Sequence, residues 1–153
     1  MLSLSIVDIK GFMAELLKGK SFDDFGLHSV LIHSIAIFEI HRVQNQAQAE
    51  NEKELKWADI KPFAFEIVKS GTTPKLLKVV FMAAGEIIDL PEANLFLNIN
   101  FEAGSGDAGG KAVITTGLAQ KNFSADKAPN RRWDDYVLNF LSEKNISFID
   151  ELA

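Results

Sequence analysis

One segment, LFLNINFEA at residues 95–103, constrains the fold of this chain more than any other. Its side chains alternate, with Leu95, Leu97, Ile99 and Phe101 set against Phe96, Asn98, Asn100 and Glu102. Because successive side chains of a strand point to opposite faces of a sheet, one face of this strand should be buried and the other largely hydrated. Such a two-sided strand is typical of an antiparallel sheet that is covered on one face.

The remaining elements predict an α+β fold in two layers. Segments rich in β-branched and aromatic residues predict further strands at 27–43, 76–84 and 111–119. Apolar residues at helical spacing predict about three helices, at 8–18, 57–68 and 133–141. Because apolar helix stripes and apolar strand faces bury each other, we expect a mostly antiparallel sheet with the helices packed on one face. Trp57 and Trp133 each lead a helix and are expected in the core.

Two features of the sheet stay open at this level. The segment 27–43 is long for one strand, so it forms either one bent strand or a hairpin that turns near residues 34–36. The face away from the helices carries the polar row of Asn98, Asn100 and Glu102. Apolar spots that could meet a partner are also expected on that face, at Val80, Met82, Ile114 and Leu118.

Size, charge and composition exclude several classes of protein. The length of 153 residues predicts a single domain over 1–153. A net charge of −5 argues against nucleic-acid binding, which needs clustered Lys and Arg. The most apolar stretch, 30–40, is too short to span a bilayer, so no membrane partner is expected. The lack of cysteine, together with a start that has no apolar leader, predicts a cytoplasmic protein.

All three histidines, His28, His33 and His41, lie in the stretch HSVLIHSIAIFEIHRV at 28–43. On a regular strand His33 and His41 share one face and His28 lies on the other, so the three rings do not converge on one ion. The best local pair is Glu39 with His41, two positions apart on one face, and it is the candidate binding site. A metal ion would need a third ligand from elsewhere, so no metal site is predicted.

No catalytic set and no cofactor emerge from the residues. The segment GSGDAG at 104–109 has G-x-G-x-x-G spacing, but the residues after it predict a strand. A dinucleotide site needs a helix at that point, because the helix N-terminus holds the pyrophosphate. Two pairs of adjacent carboxylates, Asp23 with Asp24 and Asp134 with Asp135, point in different directions and do not form a facing acid–base couple.

Several short motifs succeed one another along the chain. They are FMAELL, FDDF, KSGTTP, LLKVVF, TTGLAQKNFSADK, WDDYVLNFL and ISFIDEL. In this order the chain resembles a family of small bacterial proteins catalogued as a domain of unknown function, over about residues 8–152. The resemblance implies a fold type and a bacterial intracellular setting. It implies no activity and brings no catalytic residues.

Two kinds of function are therefore expected. The first is a non-enzymatic binding or assembly module, which forms a homodimer or holds a protein partner through the exposed face of the sheet or an edge strand. The alternative is a small-molecule-binding protein or a small enzyme with a site near Glu39 and His41. The two differ in what they require, since the first needs a free protein surface and the second a cleft beside this pair.

Overall fold

A computed structural model describes residues 1–43, 54–70, 73–104, 109–120 and 126–152. Within these ranges seven strands form one antiparallel sheet, accompanied by three α-helices. The strands are β1 (Ser3–Ile6), β2 (Gly26–His33), β3 (Ile37–His41), β4 (Leu76–Ala84), β5 (Ala93–Glu102), β6 (Lys111–Gln120) and β7 (Phe148–Asp150). The helices are α1 (Ile9–Leu17), α2 (Trp57–Lys69) and α3 (Ala128–Glu143), and a short 3-10 helix spans Gly85–Ile88. The predicted α+β class with a mostly antiparallel sheet is confirmed.

The strand order is β3-β2-β4-β5-β6-β1-β7. The long strands β4, β5 and β6 form the centre, where β5 pairs over its whole length with β6 and from Asn94 to Glu102 with β4. The two ends of the sheet are β3 and β7. The N-terminal strand β1 inserts between β6 and β7, so the sheet is wider than the sequence predicted.

The helices pack together on one face of the sheet, around an aromatic cluster. Phe22 stacks on Phe81 of β4 with ring centroids 5.7 Å apart. Phe12 of α1 and Phe140 of α3 both meet the ring of Phe22, and Trp57 of α2 meets the ring of Phe81 at 5.6 Å. All three helices therefore bury the same side of the sheet, as their apolar stripes require.

Both tryptophans lie in the core, as predicted. Trp57 is 0% exposed and Trp133 is 1% exposed. The indole N–H of Trp57 donates to the carbonyl of Leu16 at 2.8 Å, and that of Trp133 donates to the carbonyl of Phe96 at 3.0 Å. Each indole ring thus buries apolar surface while its N–H group forms a hydrogen bond. The two bonds link α2 and α3 to neighbouring elements.

Two helix ends differ from what local sequence rules predict. A proline is normally tolerated only in the first turn of a helix, yet Pro62 lies five residues after Trp57, the first residue of α2. The missing N–H would have bonded to the carbonyl of Ala58, an exposed residue where water can take its place. Asn130, after Pro129, has the residue type of a helix cap, but α3 already begins at Ala128, whose backbone N–H donates to Asp126 at 2.9 Å.

The segment 27–43 forms a hairpin. Strands β2 and β3 pair antiparallel, with His33 opposite Ile37 and Ser29 opposite His41. At the turn the backbone N–H of Ser34 donates to the carbonyl of Ala36 at 3.0 Å. Of the two alternatives left open by the sequence, the structure selects the fold-back.

The described helices include none whose length and apolar character would let it cross a membrane.

Candidate functional site

The face of the sheet opposite the helices carries a band of side chains that we call the open face. By strand register it includes Ser29, Leu31 and His33 of β2, Ile37, Glu39 and His41 of β3, Val80 and Met82 of β4, Phe96, Asn98 and Asn100 of β5, and Thr115 of β6. The amide of Asn98 donates to the Thr115 hydroxyl at 3.3 Å. Lys78 of β4 pairs with Asn100 and shares this face, so the open face combines amides, hydroxyls and a cation with apolar groups.

Two of the four predicted apolar spots lie on the open face and two do not. Val80 and Met82 are there, as expected. Ile114 and Leu118 pair with Ile99 and Leu95, so they point to the helix side instead. The prediction failed at these two because the register between β5 and β6 depends on where the connecting loop ends, which the sequence of β6 does not reveal.

A β-bulge changes the predicted position of His28. The pairing of β2 with β4 shifts between Leu27 and Ser29, so two residues of β2 oppose one residue of β4 there. The His28 ring consequently lies on the open face, where it meets the Phe96 ring at 6.0 Å and its Nδ1 lies 3.3 Å from the Ser29 hydroxyl. The prediction that His28 lies on the opposite face from His41 is wrong, because it assumed unbroken alternation.

The candidate pair Glu39 and His41 stands at the edge of the open face. Its nearest oxygen and nitrogen atoms, Oε2 and Nε2, are 3.6 Å apart. Both side chains are more than half exposed, at 59% and 65%. Such a solvated pair contributes about 0–1 kcal/mol to stability. Within the described ranges no three His, Asp or Glu side chains come close enough together to hold a metal ion.

The backbone of β3 is itself a feature of the site. Bonds from Ser34 N–H to the Ala36 carbonyl and from Arg42 N–H to the His28 carbonyl, at 3.0 and 3.1 Å, mark both ends of the hairpin ladder. Bonded pairs alternate in an antiparallel ladder, so the even-numbered residues of β3 bond to β2. The N–H and C=O groups of Ile37, Glu39 and His41 therefore point away from β2, along the outer edge of the sheet.

Clefts that were not predicted lie on the helix side of the described part of the chain, and two of them share Lys144. The larger, about 380 Å³, has Lys20, Asp24, Glu54, Tyr136 and Lys144 among its lining residues. The smaller, about 250 Å³, lies between α1 and the turn after α3, and it shares Lys144 with the larger. Both depend on tertiary contacts between segments far apart in the chain, which no local sequence pattern reveals.

Glu15 lines the smaller cleft and has a perturbed acidity. The hydroxyl and the backbone N–H of Ser21 both donate to its Oε1 atom. The hydroxyl bond is the main reason why the pKa of Glu15 lies below its ordinary value, although burial acts in the opposite direction. The carboxylate of Glu15 thus holds the turn after α1 in place.

The adjacent carboxylates also serve in structural contacts. Asp23 accepts a bond from Lys61 at 2.6 Å, and the same ammonium group donates to the carbonyl of Gly19 at 2.7 Å. Asp134 accepts a bond from the buried hydroxyl of Thr116 at 2.6 Å. Each of these contacts joins a helix to another part of the fold.

The segment GSGDAG falls mainly on residues 105–108, which lie outside the described residues. The next element along the chain is strand β6, as predicted, rather than the helix that a dinucleotide site requires.

The family of the chain follows from its match to a protein-family model. A model of DUF5721, a family of unknown function, matches residues 15–149. The chain belongs to this family. The resemblance drawn from the short motifs is thereby confirmed for DUF5721. Comparison with curated proteins and with solved structures gives no match.

Proposed function

We propose that this DUF5721 protein is a non-enzymatic assembly module that forms a homodimer by pairing β3 with the β3 strand of a second copy. The observation that carries the proposal is the outer edge of β3. Three successive outward-pointing N–H and C=O pairs, at Ile37, Glu39 and His41, offer a template for another strand. Strand addition at a sheet edge gains its affinity from such main-chain groups.

Exposed apolar side chains support the same edge. Ile35 in the hairpin turn is 83% exposed and Ile37 is 64% exposed. Natural sheets commonly protect an edge with lysine, proline or very short strands. Strand β3 has five residues and contains neither lysine nor proline. Its edge therefore resembles a surface that is covered in the working assembly.

A second copy suits this edge because the polar groups of β3 complement each other, since a carboxylate accepts hydrogen bonds and an imidazole N–H donates one. Glu39 and His41 occupy neighbouring positions on one face of the strand. When two such strands run antiparallel, an acidic position of one can face an imidazole of the other, and the reverse pair follows by symmetry. A closed dimer with one isologous interface results.

The alternative, a small-molecule site or a small enzyme near Glu39 and His41, stays a prediction. The large exposure of both side chains gives it less support, since small-molecule sites bury most of their ligand in a concave pocket. The clefts on the helix side of the described residues are lined by other residues.

The test uses two isoleucines that are matched in exposure. Ile37 on β3 and Ile149 on β7 are 64% and 63% exposed, and both lie on the open-face side of an edge strand. Sedimentation equilibrium of the natural protein should give a dimer. Ile37→Lys should weaken the dimer about tenfold to a hundredfold, because it removes an apolar contact and adds a charge. Ile149→Lys should leave the association constant unchanged. A strict monomer up to millimolar concentration, or equal effects of the two variants, would refute the proposal.

A further inference from the structure

We infer that the two β3 strands pair in one particular register, with the two-fold axis at Ile40, so that Glu39 of each chain faces the partner's His41. This inference rests on the proposed function and specifies which side chains face each other across the dimer. It concerns the odd-numbered residues of the edge, whose side chains share the open face and whose backbone groups point outward.

These residues form a row with a simple chemical pattern. Ile37 is apolar, Glu39 is acidic, His41 is an imidazole and Val43, the next position in the alternation, is apolar again. The two apolar members are 64% and 79% exposed, and the two polar ones 59% and 65%. The backbone bond from Arg42 N–H to His28 carries the ladder up to the residue before Val43. All four side chains are thus available to a facing strand.

Each possible axis can be judged by the pairs it creates. An axis at Glu39 sets the two Glu39 carboxylates against each other, and like charges directly opposite are destabilising. An axis at Phe38 sets Ile37 against the partner's Glu39. An axis at His41 sets the two imidazoles together and Glu39 against the partner's Val43. Each of these registers opposes like groups or places a carboxylate beside an apolar side chain.

With the axis at Ile40, every facing pair on the open face joins groups that suit each other. Glu39 faces the partner's His41, and Ile37 faces the partner's Val43. Since Glu39 Oε2 already lies 3.6 Å from Nε2 of its own His41, two carboxylates and two imidazoles would alternate around the axis. On the helix side the partly buried Ile40 packs against the core and would face the partner's Ile40, so the apolar layer continues from one chain to the next.

Single cysteines provide the test, because the natural sequence contains none. Even-numbered residues of β3 bond to β2, so across the dimer they would form non-hydrogen-bonded pairs with Cα atoms about 4.5 Å apart. That spacing lies within the range of a disulfide. Ile40→Cys should therefore form an interchain disulfide under mild oxidation. Phe38→Cys and Arg42→Cys, on the same side of the strand, are the matched controls and should not.

A charge exchange gives an independent measurement that does not alter the side chains packed on the core. Glu39→His and His41→Glu each place like groups opposite each other and should weaken the dimer about tenfold. The double variant with both changes restores the pairs and should recover the natural affinity.

The outcomes separate the register from the assembly. If the natural protein is a dimer but Phe38→Cys or Arg42→Cys forms the disulfide, or if the double charge variant stays weak, the register is wrong while assembly through β3 stands. If the natural protein is a monomer, the assembly is wrong and the register falls with it. An Ile40 cross-link together with recovery in the double variant would support both.

Discussion

The two edges of the sheet differ in how well they are protected. Strand β7 has only three residues, and its last residue, Asp150, pairs with the buried Leu4 and so places a carboxylate on the helix side of the sheet. An inward-pointing charge and a short length both discourage pairing with another chain. Strand β3 has five residues, and the charged groups it carries lie on the open face.

This difference indicates that the position of polar and charged side chains on an edge strand, more than their presence, decides whether another strand can pair with it. Glu39 and His41 on β3 do not block a facing strand, since each can face the other across a two-fold axis. Asp150 has no such complement on β7. Its Oδ1 atom instead accepts a bond from the backbone N–H of Leu152 at 3.0 Å, which turns the chain after β7. We therefore expect one edge of the molecule to assemble and the other to remain free.

The largest effect is expected when the protection of β7 is removed. Asp150→Val replaces the inward carboxylate with a β-branched apolar side chain, so a second edge becomes open to pairing. A molecule with two open edges should form assemblies larger than a dimer, visible by multi-angle light scattering. Asp150→Asn is the control, because it keeps a polar group of the same size and should stay dimeric. If Asp150→Val also stays dimeric, the short length of β7 protects it and the carboxylate does not.

A smaller effect is expected from removing one backbone donor at each edge. Glu39→Pro deletes an N–H that points away from β2, so the hairpin ladder stays intact while the dimer loses two bonds by symmetry. Its dimerisation constant should weaken about tenfold or more relative to Glu39→Ala, which loses the same carboxylate but keeps the N–H. Asp150→Pro deletes the matching outward N–H of β7 and should leave that constant unchanged. Sedimentation velocity measures both, and equal losses would contradict the contrast between the edges.

The long strands of the sheet could be predicted from the sequence, whereas the two short strands at the β7 end could not. Strands β4, β5 and β6 are long enough for alternation and β-branched residues to reveal them. Strands β1 and β7, with four and three residues, are too short for the same evidence to accumulate. The sequence SLSI does alternate, and it was the available indication for β1. Strands of this length form because a neighbouring strand supplies a template for their backbone hydrogen bonds.

The sequence predicted which residues belong to the candidate site, but not where all of them lie on the sheet. The shared face of Glu39 and His41 followed from alternation and holds. The position of His28 did not, because the bulge exists where Leu27 must face Phe81 in the core while Ser29 faces Val80. Such a bulge, in which two residues of one strand oppose one residue of the next, is determined by packing between strands. It leaves no pattern in the residues of one strand.

Hydrogen exchange should sharpen the comparison without any substitution. In the proposed dimer the outward amides of Ile37, Glu39 and His41 become bonded, so their exchange should slow by about an order of magnitude between dilute and concentrated protein. The outward amides of Phe148 and Asp150 on β7 should exchange quickly at every concentration. Concentration-dependent exchange at β7, or its absence at β3, would reverse the assignment of the assembling edge.

The smallest effect concerns the helix side, which serves as the control for both edges. Ser21→Ala removes the hydroxyl bond that lowers the pKa of Glu15, and the cost at neutral pH should be about 1 kcal/mol or less. A carboxyl whose folded pKa lies below its unfolded value, about 4.3, stabilises the fold above that value. The stabilisation disappears as the pH falls through the folded pKa. The difference in unfolding free energy between the natural protein and Ser21→Ala should therefore shrink in acid, as measured by denaturant titration at a series of pH values. Dimerisation at neutral pH should not change, because Ser21 contacts Glu15 and is not part of β3. A loss of dimer in this variant would mean that association depends on global stability rather than on the chemistry of one edge.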